Sequence, residues 1–301
     1  MKRTVAILLY NIYILACFSI TSYSQSIWDE VITKWVMMQT EDSSLLENDE
    51  NITSRRTALS NTGNSYYNAM EKRADRNYLW SAYQFSANYP GAISCSYQYL
   101  EAIAKAYKLP GSALYKNAAV KTEIISALNW LYINWYNENM PETGNWWDWE
   151  IGAPLSLVNI ISLIYEDLTS EQIEVLLRPV DVFCSDPALR TNENRYIETG
   201  ANRMWKCIIK IKQGILKNDP TFIELGKSSM KMITEYVGSG DGFYNDGTFI
   251  QHTQHPYTGG YGVRLLTEIG NALYILENTP WQFSGHYKKT VCDKIYEAYA
   301  P

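Results

Sequence analysis

An all-α fold, built of antiparallel helical hairpins curved into an α/α toroid, is what this 301-residue sequence predicts. Three observations carry that reading. Apolar residues recur at helical spacing in segment after segment, stretches alternating with a period of two are scarce, and no heptad repeat is sustained. Many amphipathic helices joined by loops must bury their apolar stripes on one another, and stacked hairpins do so.

Taken in order, the chain opens on Lys2 and Arg3, followed by an apolar run from Val5 to Ile20 and small residues at Ser22 and Ser24. That order of charge, short apolar run and small residues predicts a secretory signal peptide over residues 1–25, hence a secreted or periplasmic product with no membrane span. Ile14-Leu15-Ala16-Cys17 fits a lipid-attachment box only loosely, so an anchor at Cys17 is the lesser alternative. Residues 26–301 then form one domain, with no linker to divide it. A helix is expected at 27–39, a long polar surface connection from Thr40 to Asn64, and helices at 65–85 and 92–107. Ile124, Leu128, Leu131 and Trp135 recur at intervals of four, three and four, as do Leu157, Ile161, Ile164 and Leu168, and Met204, Ile208, Ile211 and Ile215. Thr169 with Gln172 makes a capping box, and Asp219-Pro220 sets a cap residue before a first-turn proline. Further helices are expected at 221–237, 260–276 and 287–299.

Composition narrows the function. Twenty-six basic and 32 acidic residues leave a formal charge of −6, which argues against a nucleic-acid-binding surface. Aromatic residues reach 14%, with 24 Tyr and 10 Trp; their flat amphipathic faces suit either a core or a sugar-stacking cleft. The five cysteines show no paired spacing and read as isolated thiols rather than a disulfide or metal framework.

Three clusters could carry chemistry. In Asn145-Trp146-Trp147-Asp148-Trp149-Glu150-Ile151-Gly152, three indoles in four positions cannot all face one core. Either at least one faces a cleft, or all plug the bundle while Asp148 and Glu150 cap the next helix. In Glu198-Thr199-Gly200-Ala201-Asn202-Arg203, Asn202 taken alone reads as a helix cap, and Tyr196 taken alone as packing. The third, Asp241 to Gly262, gathers two of the three histidines, five glycines and several aromatics ahead of a helix, which marks either a site or an aromatic loop over the core. His252 and His255 could suggest a metal pair, but no third ligand stands out, and neither metal nor other cofactor is expected.

Together the clusters resemble polysaccharide lyase family 8, which includes hyaluronate, chondroitin AC and xanthan lyases. The matching segments are Asn145-Trp-Trp-Asp-Trp-Glu-Ile-Gly152, Thr199-Gly-Ala-Asn-Arg203, Asp246-Gly-Thr-Phe-Ile-Gln-His252 and Tyr257-Thr-Gly-Gly-Tyr-Gly262. Resemblance runs from about residue 26 to the end and is most specific between 145 and 266. It implies a catalytic trio at Asn202, His252 and Tyr261, substrate contacts at Trp146, Trp147 and Tyr196, and an anionic uronate polysaccharide as substrate, cleaved by β-elimination; a monomer is expected. The family also has an arginine pair and β-sandwich domains beyond the point this chain reaches, so the resemblance implies an incomplete toroid, and Arg203 does not stand in for that pair. A hydrolase on a similar toroid, using Asp148 and Glu150, and a non-catalytic sugar-binding fragment are the alternatives.

Overall fold

The computed structural model describes residues 27–40, 49–86, 88–192 and 196–299; the signal peptide and Cys17 expected from the sequence lie outside the described residues. Ten α-helices are described: α1 (27–40), α2 (Glu50–Ala69), α3 (Gly91–Lys108), α4 (Ala118–Asn134), α5 (Ala153–Leu163), α6 (Ser170–Phe183), α7 (Gly200–Lys217), α8 (Pro220–Lys231), α9 (Val263–Leu276) and α10 (Gly285–Tyr299).

They form two layers. Helices α3, α5, α7 and α9 pack side by side as an inner row, while α2 backs α3, α8 backs α7 and α10 backs α9, with α4 and α6 filling the outer layer between. This alternation is the arrangement of an α/α toroid. The inner helices run the same way: Lys206 and Lys212 of α7 meet Glu150, just ahead of α5, and Asn159 within α5, in the same sequence order. The apolar stripes read from the sequence are the buried ones: Leu157, Ile161, Met204, Ile208, Ile211 and Ile215 are fully buried. Around Trp149, a solid aromatic core gathers Phe85, Tyr136 and Phe183.

Helix starts follow side-chain chemistry. Thr169 and Gln172 satisfy each other's backbone N–H groups as a capping box, and Asp219 accepts from Thr221 N–H ahead of Pro220 at the first turn of α8. Two inner helices begin differently, through a π-helical turn, Asp148–Gly152 before α5 and Thr258–Gly262 before α9. Such turns insert an extra residue per turn and re-aim the side chains they carry.

The structure corrects two expectations. The stretch from Thr40 to Asn64 is not one long connection, because α2 begins at Glu50, with the Asp49 carboxylate accepting from Asn51 and Ile52 N–H. No helix spans 65–85; α2 ends at Ala69 and the chain turns irregularly to Ser86. The polar sequence of α2 hides its role. It is held by close approach, since a Cβ on Gly63 would overlap Ala106 Cβ and the Ala102 carbonyl, and by Tyr66 stacked on Tyr99 with ring centroids 3.6 Å apart. One three-stranded antiparallel sheet, β1 (Gly242–Phe243), β2 (Phe249–Gln251) and β3 (His255–Pro256), lies between α8 and α9; its register pairs Phe243 with Phe249 and Gln251 with His255.

Candidate active site

Because the inner helices run parallel, their N-termini share one end of the toroid, and all three sequence clusters sit there. Trp146 and Trp147 precede the π turn into α5, Asn202 lies in the first turn of α7, and Tyr261 lies in the π turn into α9. The dipoles of those helices put partial positive charge at that end, which suits an anionic ligand.

A chain of rings runs across this end of the toroid. Trp147 meets Trp205 edge-on at 6.2 Å, and Trp205 meets Tyr261 at 5.8 Å. Tyr261 in turn lies 4.9 Å from both the His252 imidazole and the Tyr257 ring, close to perpendicular to each. Asn202 joins this set through α7, because Trp205 is three residues on and shares its face. A second link joins side chain to backbone, since Gln251 Oε1, next to His252, accepts from the N–H of Ala201, next to Asn202, at 3.0 Å. The side chains of Asn202, His252 and Tyr261 have no hydrogen-bond partner among the described residues. All three are at least partly exposed. Asn202 occupies the third position of α7, behind Thr199, and caps nothing. Burial pushes the Tyr261 phenol above its ordinary pKa, and Tyr257 adds to the shift, so Tyr261 holds its proton through neutral pH.

The three tryptophans divide the two readings between them. Trp149 is fully buried, its indole N–H donating to Thr143 O, whereas Trp146 and Trp147 are half-buried. Asp148 and Glu150 cap nothing. Asp148 accepts from Ser94 Oγ at 2.5 Å and from Asn145 Nδ2 at 3.2 Å. Glu150 is fully buried, accepting from Lys206 Nζ at 2.6 Å and from Thr191 N–H at 2.9 Å. Lys206 also donates to Leu189 O, so this ion pair clamps the loop before α7 against α5. Two carboxylates tied up in packing are poorly placed to attack or protonate a sugar.

That clamped loop carries Tyr196, 53% exposed, and a residue the sequence reading missed. Arg190 lays its guanidinium 3.8 Å from the Trp146 ring centre and 4.6 Å from that of Tyr196, while its Nε donates to Glu198 at 2.9 Å. Burial raises the Glu198 carboxyl pKa, and the Arg190 charge opposes that rise. The aromatic platform therefore carries a guanidinium against its rings, paired with Glu198. Arg203, by contrast, is buried and donates to Ser229 O of α8. Trp205 was the other omission, legible only as the position one turn beyond Asn202. A cavity of about 620 Å³ opens elsewhere, beside Trp130, but its Arg76 and Arg73 are paired with Glu123 and Glu71.

Fold and ring cluster thus define an α/α-toroid protein with aromatic faces leading to an amide, an imidazole and a phenol at one end of its inner helices. Residues 35–301 match the model of polysaccharide lyase family 8, N-terminal alpha-helical domain, and the chain belongs to that family. It is 33% identical to a xanthan lyase of Bacillus sp. (strain GL1) over 277 residues, which cover 91% of this chain and 29% of that protein. It is also 33% identical to a hyaluronate lyase of Thermasporomyces composti over 210 residues, 69% of this chain and 26% of that one. Among solved structures, a Paenibacillus xanthan lyase superposes with a TM-score of 0.84 at 33% identity, covering 92% of this chain and 26% of its own. A Streptomyces coelicolor chondroitin AC lyase does so at 0.82 and 27%, covering 91% and 36%. The chain spans between about a quarter and about a third of the length of these relatives.

Proposed function

We propose that the chain is the catalytic helical part of a secreted polysaccharide lyase, cleaving uronate-containing polysaccharides by β-elimination. The observation that carries this reading is the approach of Tyr261 and His252, 4.9 Å between rings, beside the α7 N-terminus that bears Asn202.

Each residue type answers one difficulty of the reaction. The C5 proton of a uronate is weakly acidic, because the adjacent carboxylate already carries charge and resists more. Asn202 donates its amide N–H to that carboxylate and stabilises the dianion-like form that grows as the proton leaves. His252 takes the C5 proton as the general base. The electron pair left at C5 forms the C4–C5 double bond, the C4–O4 bond breaks, and Tyr261 gives its proton to O4. No water enters. The raised pKa of Tyr261 favours this division of labour over one in which an ionised Tyr261 is both base and acid. Trp147, and the Trp146–Arg190–Tyr196 stack, hold neighbouring sugars, with the guanidinium suiting acidic ones.

The test is incubation of the chain with hyaluronan, chondroitin sulfate and xanthan while following near-ultraviolet absorbance. Elimination creates an unsaturated uronate that absorbs there and hydrolysis does not. Growth of the band with at least one polymer supports the reading; new chain ends without it would point to hydrolysis, and binding without new ends to a non-catalytic module.

A further inference from the structure

Asp241 lies outside the proposed reacting groups, yet its carboxylate touches every segment that holds them except the π turn of Tyr261. Oδ2 accepts from Gln251 Nε2 at 2.6 Å and from Thr199 Oγ1 at 2.9 Å, while Oδ1 accepts from the backbone N–H of Thr253 at 2.6 Å. Gln251 and Thr253 are the two chain neighbours of His252, and Thr199 is the residue before α7. Gln251, 1% exposed, passes the connection on by accepting from Ala201 N–H. Gly200 makes room for this: its φ is +52°, and a Cβ there would overlap the Gln251 carboxamide.

The backbone at His252 needs such support. His252 and Thr253 have φ of +54° and +72°, consecutive left-handed positions that side chains with a Cβ seldom adopt. Two such residues persist only where the surroundings over-determine them, and a carboxylate accepting the Thr253 N–H is that kind of constraint.

We propose that Asp241, acting through Gln251, is a positioning residue that fixes the His252 turn against the first turn of α7, and so sets imidazole and amide at one separation. The proposal rests on the lyase reading for its catalytic consequence, and on geometry alone for the coupling. Asp241 touches no reacting atom; it aligns the groups that do, and a misplacement of about 1 Å costs up to about 100-fold in rate.

The direction of each hydrogen bond supplies the test. In Asp241→Asn, the new amide N–H₂ can accept from neither Gln251 nor Thr199. In Gln251→Glu, two carboxylates face each other across the former bond. Exchanging both restores the pairing with donor and acceptor reversed. The amide introduced at position 241 then donates through Nδ2 to the carboxylate introduced at position 251. The other oxygen of that carboxylate still accepts from Ala201 N–H, and the amide's Oδ1 still accepts from Thr253 N–H. Each single variant is expected to lower kcat by about 10- to 100-fold with KM changed by less than about twofold. The double variant D241N/Q251E should recover most of that loss. Amide hydrogen exchange at Ala201 and Thr253, read without substrate, should quicken together in each single variant and slow again in the double one. Wild-type kcat in Asp241→Asn, or singles whose Ala201 and Thr253 amides exchange as slowly as wild type, overturns the proposal. A double variant that melts like wild type and recovers neither rate nor protection overturns it too. If wild type yields no unsaturated product from any uronate polymer, the lyase reading falls, and the exchange data still decide the coupling.

Discussion

At the scale of single residues, the account assigns one job to each of three side chains, an amide, an imidazole and a phenol. His252→Ala and Tyr261→Phe should each lower kcat by about 10²- to 10⁴-fold while leaving KM nearly unchanged, as steady-state kinetics on a cleaved uronate polymer would record. Near-wild-type turnover in both would refute the roles. The pH profile adds a sharper check. Because burial raises the Tyr261 pKa, the acid form should persist past the ordinary phenol value of about 10, so the alkaline fall of kcat should lie above that pH and disappear in Tyr261→Phe. Arg190→Ala acts elsewhere. It removes the cation between Trp146 and Tyr196, so KM should rise several-fold, more for a sulfated polymer than for an unsulfated one, with kcat little changed. These residues differed in how legible they were. Asn202, His252 and Tyr261 stand in short motifs whose order and spacing survive any folding detail. Arg190 stands in no motif, and only the backbone pairing of 188–190 with 196–198 and its contact with the Trp146 ring show its place.

At the scale of elements, strong periodicity and capping chemistry made helices readable, and their absence hid α2. The stripe in α7 is so complete that nearly the whole helix is buried, and the Thr169–Gln172 and Asp219–Pro220 signals mark helix starts correctly. Helix α2 has one buried residue, Gly63, so no apolar period could announce it; its fit to α3 depends on what Gly63 lacks. Gly63→Leu should therefore force α2 from Ala102 and Ala106, lowering stability by about 1–3 kcal/mol in a denaturant melt. An unchanged midpoint would mean that α2 is not held by this contact. The π turns were equally invisible, since Asp148–Gly152 and Thr258–Gly262 differ from α-helix by a single inserted residue each.

At the scale of the whole molecule, the toroid puts the N-termini of parallel inner helices at one end, and that is why motifs far apart in sequence meet. The Glu150–Lys206 pair, both side chains fully buried, locks the start of α5, α7 and the loop before α7 into that register. Lys206→Met should strand the Glu150 charge and cost about 3–5 kcal/mol, measurable as a fall in thermal midpoint. It should also loosen Arg190 and Tyr196 from Trp146. The central claim is the chemistry performed at that shared end, and isotope incorporation tests it most directly: the chain is allowed to cut a uronate polymer in water enriched in heavy oxygen, and the fragments are weighed. The account predicts fragments whose masses sum to that of the parent and that carry no heavy oxygen. Fragments gaining one labelled water per cut would contradict it.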